Sequence, residues 1–330
     1  MGIDLGDSAV KLVEVRKKGE KYELTGWAIE PVSQGNIKDA IKNILSKVKA
    51  PGKAPFTAVH GKGTLIRCIT MPRMTLAELK KSFSLEADKY FPFPLNQIYT
   101  DCYILDPRSK ESKMPVLVAA SKKELVEERL SLLTSLGLQP DFITLNAIAM
   151  ANILDVLTIR GLSQAELDKK STAVAILDMG DQVSNLTIFV DKVPWFTRDI
   201  FVGGREVTRN ISHTLGVSLE EAEKLKSRPS ERQEEVLNAA DSALSHLVSE
   251  VRLSFDYFIT EKNVSIPLLL LTGGGSMMPG IEDLLANNLE VKVKPWTPFE
   301  DLELAPGLNR EEINAQASKL TIALGLALYQ

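Results

Sequence analysis

One strand-turn-strand motif occurs twice in this chain, about half a chain apart. The first copy is Ile3-Asp4-Leu5-Gly6-Asp7-Ser8, running into Ala9 to Val15. The second is Leu177-Asp178-Met179-Gly180-Asp181-Gln182, running into Val183 to Phe189. Both read apolar, Asp, apolar, Gly, Asp, then a strand-like run. A repeat at this separation constrains the whole fold and predicts two related lobes, each offering an Asp and a tight Gly turn to a shared cleft. Backbone N–H groups at a Gly turn approach phosphate oxygens closely. An Asp at a strand end holds Mg²⁺, usually through water, because Mg²⁺ dehydrates reluctantly. The two copies together therefore suit a nucleotide phosphate chain and its metal. A single Asp-x-Gly is more often an ordinary turn, so it is the duplication in register that carries this reading.

The bulk properties are compatible with it. A chain of 330 residues is long enough for two core-bearing lobes, since single cores rarely grow past roughly 250–300 residues. The net charge of −4 gives no reason to expect a nucleic-acid partner. Two cysteines, Cys68 and Cys102, cannot build a disulfide framework, which points to a reduced cytosolic setting with both thiols packed. No apolar run approaches the roughly 20 residues of a membrane helix, and Ile266 to Leu271 reads as a buried strand. No secretory signal is present. The first strand starts at Met1 or Gly2, as expected if a few upstream strand residues had been trimmed.

Along the chain, strands are predicted at 2–5, 9–16 and 21–30. A helix capped by Asn36 follows, with Ile37, Ile41, Ile44, Leu45 and Val48 on one face and Pro51-Gly52 as its stop. Thr57 to His60 reads as a strand. Residues 63–142 look like an inserted α+β module. Its strand Thr64 to Met71 is closed by Pro72. A helix with a Thr75/Glu78 capping box runs to about Lys89 and is stopped by Tyr90-Phe91-Pro92-Phe93-Pro94. Strands at 98–105 and 115–120 follow, then a helix with a Ser121/Glu124 capping box that runs to Leu136, with Gly137 as its left-handed stop. Asp141 to Asp155 returns to the first lobe through an apolar helix, Ala147 to Leu154. Ser163 to Thr172 is the predicted interlobe linker. The second lobe repeats the scheme, adds a strand at 195–202, and fills 205–262 with helices, one of them capped by Ser218 and Glu221. Arg228 to Glu235 reads as a charged loop. A strand at 267–272, a Gly-rich turn and a helix at about 314–328 close the chain.

Two further groups carry chemistry. Leu271-Thr272-Gly273-Gly274-Gly275-Ser276 lies between an apolar strand and Met277 to Ile281, where a helix begins. Three glycines allow backbone contact with a flat ring or a phosphate, and a helix N-terminus favours anions. Glu223 and Lys226, three apart, share a helix face and suit ribose hydroxyls, although a solvated ion pair is the commoner outcome of that spacing. The chain has neither a G-x-x-x-x-G-K-[ST] loop nor a G-x-G-x-x-G fingerprint. For turnover, Gln182 and Asp181 are the candidates to orient a water, with turn-surface roles equally open.

In this order and spacing the four elements resemble the actin-like ATPase superfamily. The likeness narrows to the type IV pilus assembly PilM family through GIDLGDSAVKLVE at 2–14, MPRMTLAELKKSFSLEADKYFPFPLNQIYTDCYIL at 71–105 and LVAASKKELVEERLSLLTSLGLQP at 117–140. NLTIFVDKVPWFTRDIFVGGREVT at 185–208 and LTGGGSMMPGIEDLL at 271–285 complete it. FtsA is the nearest relative outside that family. The resemblance covers nearly the whole chain and implies a bilobed α/β actin-like fold, a duplicated ribonuclease H-like unit with a PilM/FtsA-type inserted subdomain. Residues 1–62, 143–171 and 313–330 would form the first lobe, 63–142 the inserted subdomain, 172–204 and 265–312 the second lobe, and 205–264 a helical subdomain beside the nucleotide.

The resemblance also implies ATP or ADP with Mg²⁺ between the lobes. The ligands would be Asp4, Gly6, Asp7, Ser8 and Lys11 on one side and Asp178, Gly180, Asp181, Ser184 and Asn185 on the other. Gly203, Gly204, Glu223, Lys226, Gly273, Gly274, Gly275 and Ser276 would surround the nucleoside, and Asp4 and Asp178 would face the metal. It implies a cytoplasmic protein, peripheral at the inner membrane, that takes the N-terminal cytoplasmic tail of a PilN-like single-span protein in a groove of the first lobe. Ile66, Arg67, Met71, Met74, Tyr90, Phe91 and Phe93 are the groove residues it suggests, and an apolar groove with strand edges suits an extended peptide. Packing in the module core is the alternative for Tyr90, Phe91 and Phe93.

One departure stands out. The family commonly carries small or hydroxyl residues where this chain has Asp7 and Asp181. With Asp4 and Asp178 these would set four carboxylates around a polyanion, at a cost of several kcal/mol at intermediate dielectric, which Lys11 offsets in part. The expectation is strict Mg²⁺ dependence, with a vestigial site in a scaffold as the other outcome. Slow or undetectable ATP hydrolysis is expected. The competing functions are an FtsA-like filament protein, whose amphipathic membrane helix would follow the Leu320 to Gln330 end of this chain, and a small-molecule kinase.

Overall fold

A computed structural model of the chain describes residues 1–47, 54–108, 110–157 and 172–329. The repeat seen in the sequence is a repeat of sheet topology. In the first sheet, β3 (Lys21–Pro31), β2 (Ala9–Lys18) and β1 (Gly2–Leu5) form an antiparallel meander, continued by parallel β4 (Phe56–Val59) and β8 (Phe142–Leu145), with short β14 (Glu303–Leu304) on the outer edge. In the second, β11 (Val193–Ile200), β10 (Ser184–Val190) and β9 (Thr172–Met179) form the same meander, continued by parallel β12 (Ser265–Thr272) and β13 (Lys292–Pro295). The two Asp-Gly turns join β1 to β2 and β9 to β10.

Between the sheets lie two helices, α4 (Asn146–Val156) and α10 (Ala317–Ala327). Their sequences are apolar on nearly every face, the pattern of a helix with no solvent side. Met150, Ile153 and Leu154 of α4 and Leu320, Leu324 and Leu326 of α10 join Val174 and Ile176 of β9 and Leu268 and Leu270 of β12 in one core. Two glycines let this layer close. A Cβ on Gly2 would lie 2.1 Å from the Ala323 carbonyl oxygen, and one on Gly325 would lie 2.0 Å from that of Ala149.

On the far side of the first sheet, α1 (Ile37–Lys47) buries Ile41 and Ile44, and the Asn36 side chain accepts the Asp39 N–H at 3.2 Å as expected of its cap. On the far side of the second sheet pack α5 (Gly204–Leu215), α6 (Leu219–Ser227), the 30-residue α7 (Gln233–Lys262) and α8 (Ile281–Leu289). The buried stripe of α7 runs Val236, Ala240, Ala243, Leu247, Val251, Phe255 and Phe258, at helical spacing. Among the described residues, no helix is long and apolar enough to cross a membrane.

Residues 64–134 hold a third sheet, ordered β5 (Thr64–Pro72), β7 (Lys113–Lys122), β6 (Ile98–Ile104) and antiparallel throughout. Met114, Val116, Val118 and Ala120 of β7 alternate inward onto Leu79 and Phe83 of α2 (Leu76–Glu86). The Thr75/Glu78 capping box is fully formed. The predicted Ser121/Glu124 box is not. Ser121 still pairs with Thr64 and Tyr99 on either side, so the sheet claims it, and α3 (Lys123–Thr134) begins with no side-chain cap. Gly137 does take the left-handed conformation, at φ 76°. β5 also lies against β11, the edge strand of the second sheet, with the Lys62 ammonium 4.7 Å from the Phe201 ring centroid.

Other boundaries differ in detail. The charged loop at 228–235 is shorter than predicted, because α7 starts at Gln233. The C-terminal helix is two, α9 (Arg310–Asn314) and α10. Val48, Pro51, Gly52 and the 163–171 part of the predicted linker lie outside the described residues, while Thr172 opens β9.

The tight layer generates the first prediction. Gly325→Ala drives a methyl into the Ala149 carbonyl, and overpacking of this kind costs about 1–3 kcal/mol. Chemical denaturation monitored by circular dichroism should show that loss.

Candidate functional site

The two Asp-Gly turns are built alike. The Gly6 N–H donates to the Ala9 carbonyl at 3.2 Å, and the Gly180 N–H donates to the Val183 carbonyl at 3.1 Å. Asp4 sits opposite Lys11 in the β1–β2 ladder, and Asp178 sits opposite Asn185 in β9–β10. The Lys11 ammonium donates to Asp4 Oδ2 at 2.9 Å. Burial works to lower the Lys11 pKa, but Asp4 outweighs it, with help from Asp178 and Asp7, and the net shift is upward. Burial first, then the charge of Asp4, push the Asp178 carboxyl up to about 6 against the pull of Lys11 and His60. The carboxylates of the two hairpins thus share one cleft, with Lys11 close to both.

The third turn closes on the second hairpin. Gly273 has φ 84°, and a Cβ there would lie 2.4 Å from Asp178 Oδ1 and 2.5 Å from the Met179 carbonyl oxygen, so only glycine brings this backbone so near the Asp. Gly274 is exposed and Gly275 is buried against Met179. Ser276 Oγ donates to the Gly273 carbonyl at 2.8 Å. The turn is a short 3₁₀ segment, Gly274–Met277, and α8 begins only at Ile281. The glycines are therefore not the first turn of an α-helix, contrary to expectation. Met278 to Gly280 intervene, and Gly280 takes a left-handed conformation before the helix starts.

The start of α5 docks on the same hairpin. The Gly204 N–H donates to the Gly180 carbonyl at 2.9 Å and the Arg205 N–H to the Asp181 carbonyl at 2.8 Å. Lys226 is buried and donates to the Gly204 carbonyl at 3.1 Å, to Thr208 Oγ1 at 2.8 Å and to Glu223 Oε2 at 2.6 Å. The expected pair is formed, with unequal partners: the lysine clamps α6 to α5, while Glu223 keeps about half its side chain exposed at 55%.

Three further predicted ligands have their own settings. Ser184 is fully buried and its hydroxyl donates to the Val202 carbonyl at 2.6 Å, which removes it from the cleft. Strand alternation puts it on the inward face with Leu186 and Ile188. Asn185 donates to Asp199 Oδ1 at 2.7 Å. Ser8 is exposed, and its carbonyl accepts the Val32 N–H at 2.9 Å.

Sequence reasoning found Lys11 and Lys226 but missed three further cations. Arg205 pairs with the Asp181 carboxylate. Arg129 of α3 donates to the Leu5 carbonyl at 3.2 Å, and both Asp4 and Asp7 act on its charge. Lys319 of α10 reaches the third turn, its Cγ and Cε each 3.9 Å from a Cβ placed on Gly274. The four acids expected to crowd the cleft are thus met by Lys11, Arg129 and Arg205. Arg205 was open to inference as the residue after Gly203-Gly204; Arg129 and Lys319 come from distant helices, with no local signal.

Mg²⁺ fits this donor set. Asp4 and Asp178 are two carboxylates within electrostatic reach, and no cluster of three metal-binding side chains exists among the described residues. A cation that keeps most of its water and takes one or two carboxylates suits such a pair.

A small pocket with room for about one water lies between the first sheet, the third sheet and β10–β11, lined among others by His60, Ile66, Asn146, Asn185 and Thr197. Asn146 is buried, and its Oδ1 finds no hydrogen-bond partner. Of the predicted groove residues, Ile66 lines this cavity and Arg67 is exposed on β5. Met71 and Phe91 are in the core of the third sheet, with Met74, Tyr90 and Phe93 packed against it. Phe83 packs edge-on to Phe91 at 5.9 Å and stacks on Tyr90 at 6.1 Å.

The chain was compared with known proteins. A family model described as type IV pilus assembly protein PilM matches residues 2–330. A solved structure, the "PilM-PilN type IV pilus biogenesis complex", superposes with a TM-score of 0.84 at 26% identity, covering 99% of this chain and 97% of that one. MreB 5 of Spiroplasma citri, solved bound to AMPPNP, shares the fold at a TM-score of 0.50 and 14% identity, covering 100% of this chain and 95% of that one. Cell division protein FtsA of Borreliella burgdorferi is 27% identical over 195 residues, 51% of this chain and 46% of that protein. The chain thus spans less than half the length of the curated relatives it matches. The fold is the bilobed actin-like one.

The raised Asp178 pKa makes stability depend on pH. A carboxyl raised from 3.8 to about 6 in the folded state contributes stability that is full below about pH 4 and is lost as pH rises through about 6. Its contribution should therefore grow by about 1–2 kcal/mol between pH 7 and pH 4.5, after allowance for screening by solvent. Asp178→Asn should flatten that part of the stability–pH curve in urea denaturation.

Proposed function

The chain belongs to the type IV pilus assembly protein PilM family, and on that premise we propose that it is a nucleotide-binding adaptor of a pilus assembly platform at the inner membrane. The observation that carries the nucleotide half is the facing pair of Asp-Gly hairpins, with Lys11 bonded to Asp4 and the Gly273 turn against Asp178. Glycine backbones at three turns suit a phosphate chain, and the related MreB 5 is described with AMPPNP. Asp4 and Asp178 are the groups suited to Mg²⁺, and Glu223 is the exposed acid suited to a ribose. The lobes are then residues 1–62, 143–171 and 313–330 against 172–204 and 265–312, with 205–264 beside the nucleoside and 63–142 as the inserted subdomain. Of the two candidates to orient a water, Gln182 is exposed at a turn and Asp181 is engaged by Arg205. Hydrolysis in this reading is slow, and the nucleotide sets lobe closure instead.

The adaptor half rests on the likeness to a complex whose description pairs PilM with PilN. The partner is then the cytoplasmic N-terminal tail of a PilN-like single-span protein, taken in a groove between the first lobe and the inserted subdomain near Ile66 to Met74 and Tyr90 to Pro94, which would hold this chain at the cytoplasmic face of the membrane. Of the residues suggested for that groove, Arg67 on β5 is the exposed one.

Calorimetric titration of ATP should show binding with Mg²⁺ and little without it; equal affinity in both buffers would overturn the metal role. For the adaptor, Arg67→Ala on the exposed face of β5 should weaken the tail peptide by about tenfold, the loss of roughly one hydrogen bond to a charged group, with thermal unfolding as the folding control. An unchanged peptide affinity would remove this face of β5 from the docking site.

A further inference from the structure

Three lysines stand over three glycine turns. Lys11 Nζ is 2.5 Å from a Cβ placed on Gly6, Lys226 Nζ is 3.3 Å from one on Gly204, and the Lys319 stem is 3.9 Å from one on Gly274. The first two are already satisfied, Lys11 by Asp4 and Lys226 by Glu223, Thr208 and the Gly204 carbonyl. Lys319 is only partly exposed, and among the described residues its ammonium donates no hydrogen bond.

Its backbone position is nonetheless fixed. The carbonyl of the preceding residue, Ser318, accepts the Gly273 N–H at 2.8 Å and the Thr272 hydroxyl at 2.9 Å. The first turn of α10 is thereby tied to the loop that Lys319 overlooks. Burial lowers the Lys319 pKa, Glu223 opposes that shift, and Lys11 and Lys226 add to it. A half-buried cation repelled by two others has only a shared counter-charge, since Glu223 is already bonded to Lys226 at 2.6 Å.

We propose that Lys319 is a specificity-determining residue for the phosphate chain of the bound nucleotide, supplying the cationic contact that Lys11 and Lys226 have already committed elsewhere. The inference rests on the nucleotide reading of the cleft and deepens it. A di- or triphosphate brings the negative charge that Lys319 does not have to itself; a nucleoside brings none. Lys319 also joins layers, because its helix belongs to the core between the sheets while Gly274 belongs to the turn after β12. A phosphate chain held by both would tie that core to the turn.

Calorimetry on the full chain with adenosine, Mg-ADP and Mg-ATP tests this in the wild type, Lys319→Met and Lys319→Arg. Lys319→Met should weaken ADP and ATP by about tenfold or more, the size of a charge-assisted hydrogen bond, leave adenosine unchanged, and be largely rescued by arginine. Equal ADP and ATP affinity in wild type and Lys319→Met, with the wild type binding both, would overturn the role of Lys319 and leave the nucleotide reading standing. A parallel loss of adenosine would show that Lys319 acts by arranging Glu223 and would also overturn it. If the wild type binds none of the three, both readings fall. The ligand-free Lys319→Met protein should melt no lower than the wild type, since a repelled cation has gone; a large drop would mark a structural residue and overturn the proposal.

Discussion

The rest of the molecule depends on how closely α10 is packed between the two sheets. Its backbone approaches β1 at Gly2 and α4 at Gly325, where any Cβ would collide with a carbonyl oxygen. Leu320, Leu324 and Leu326 then reach side chains from both sheets, so the two copies of the repeat share a core in place of two separate ones. That shared layer sets where the hairpins meet. It also carries Ser318 to the Gly273 turn, so the floor of the cleft and the core are connected by hydrogen bonds from one helical turn. Close packing at interior density leaves little slack in such an arrangement.

Charge within the cleft follows from that placement. The acids at the two hairpins look excessive when counted along the chain, yet cations from other elements meet them. Lys11 faces Asp4 across a strand pair, Arg205 meets Asp181 from the first turn of α5, and Arg129 arrives from the inserted module. The Asp7 and Asp181 carboxylates therefore belong to ion pairs or charge clusters assembled by tertiary contacts. Burial, with the charge of Asp4, raises the Asp178 carboxyl to about 6.

Legibility in the sequence tracked the range of the interaction. The duplicated hairpins, the Thr75/Glu78 capping box, the Asn36 cap and the left-handed Gly137 are local, and each is written in a few adjacent residues. Ser121 has the spacing of a cap, but two strand partners claim it first, an outcome set by β5 and β6. Ser184 has the chemistry of a phosphate ligand, but the period of β10 sends it inward; counting by twos from Leu186 reveals this in hindsight. Arg129 lies 124 positions from the carbonyl it touches, and Lys319 meets Gly274 only because α10 threads the core. No window along the chain holds either relation. The candidate site was thus visible in its glycines and acids, while much of its basic side was hidden.

The contact between β5 and β11 has a consequence for solubility. Both are edge strands, one of the third sheet and one of the second, and each edge carries backbone groups able to recruit a strand from another molecule. Lying side by side, with Lys62 over the Phe201 ring, they shield one another. Any motion that swung the second sheet away from the inserted module would uncover both edges at once and open the protein to self-association through them.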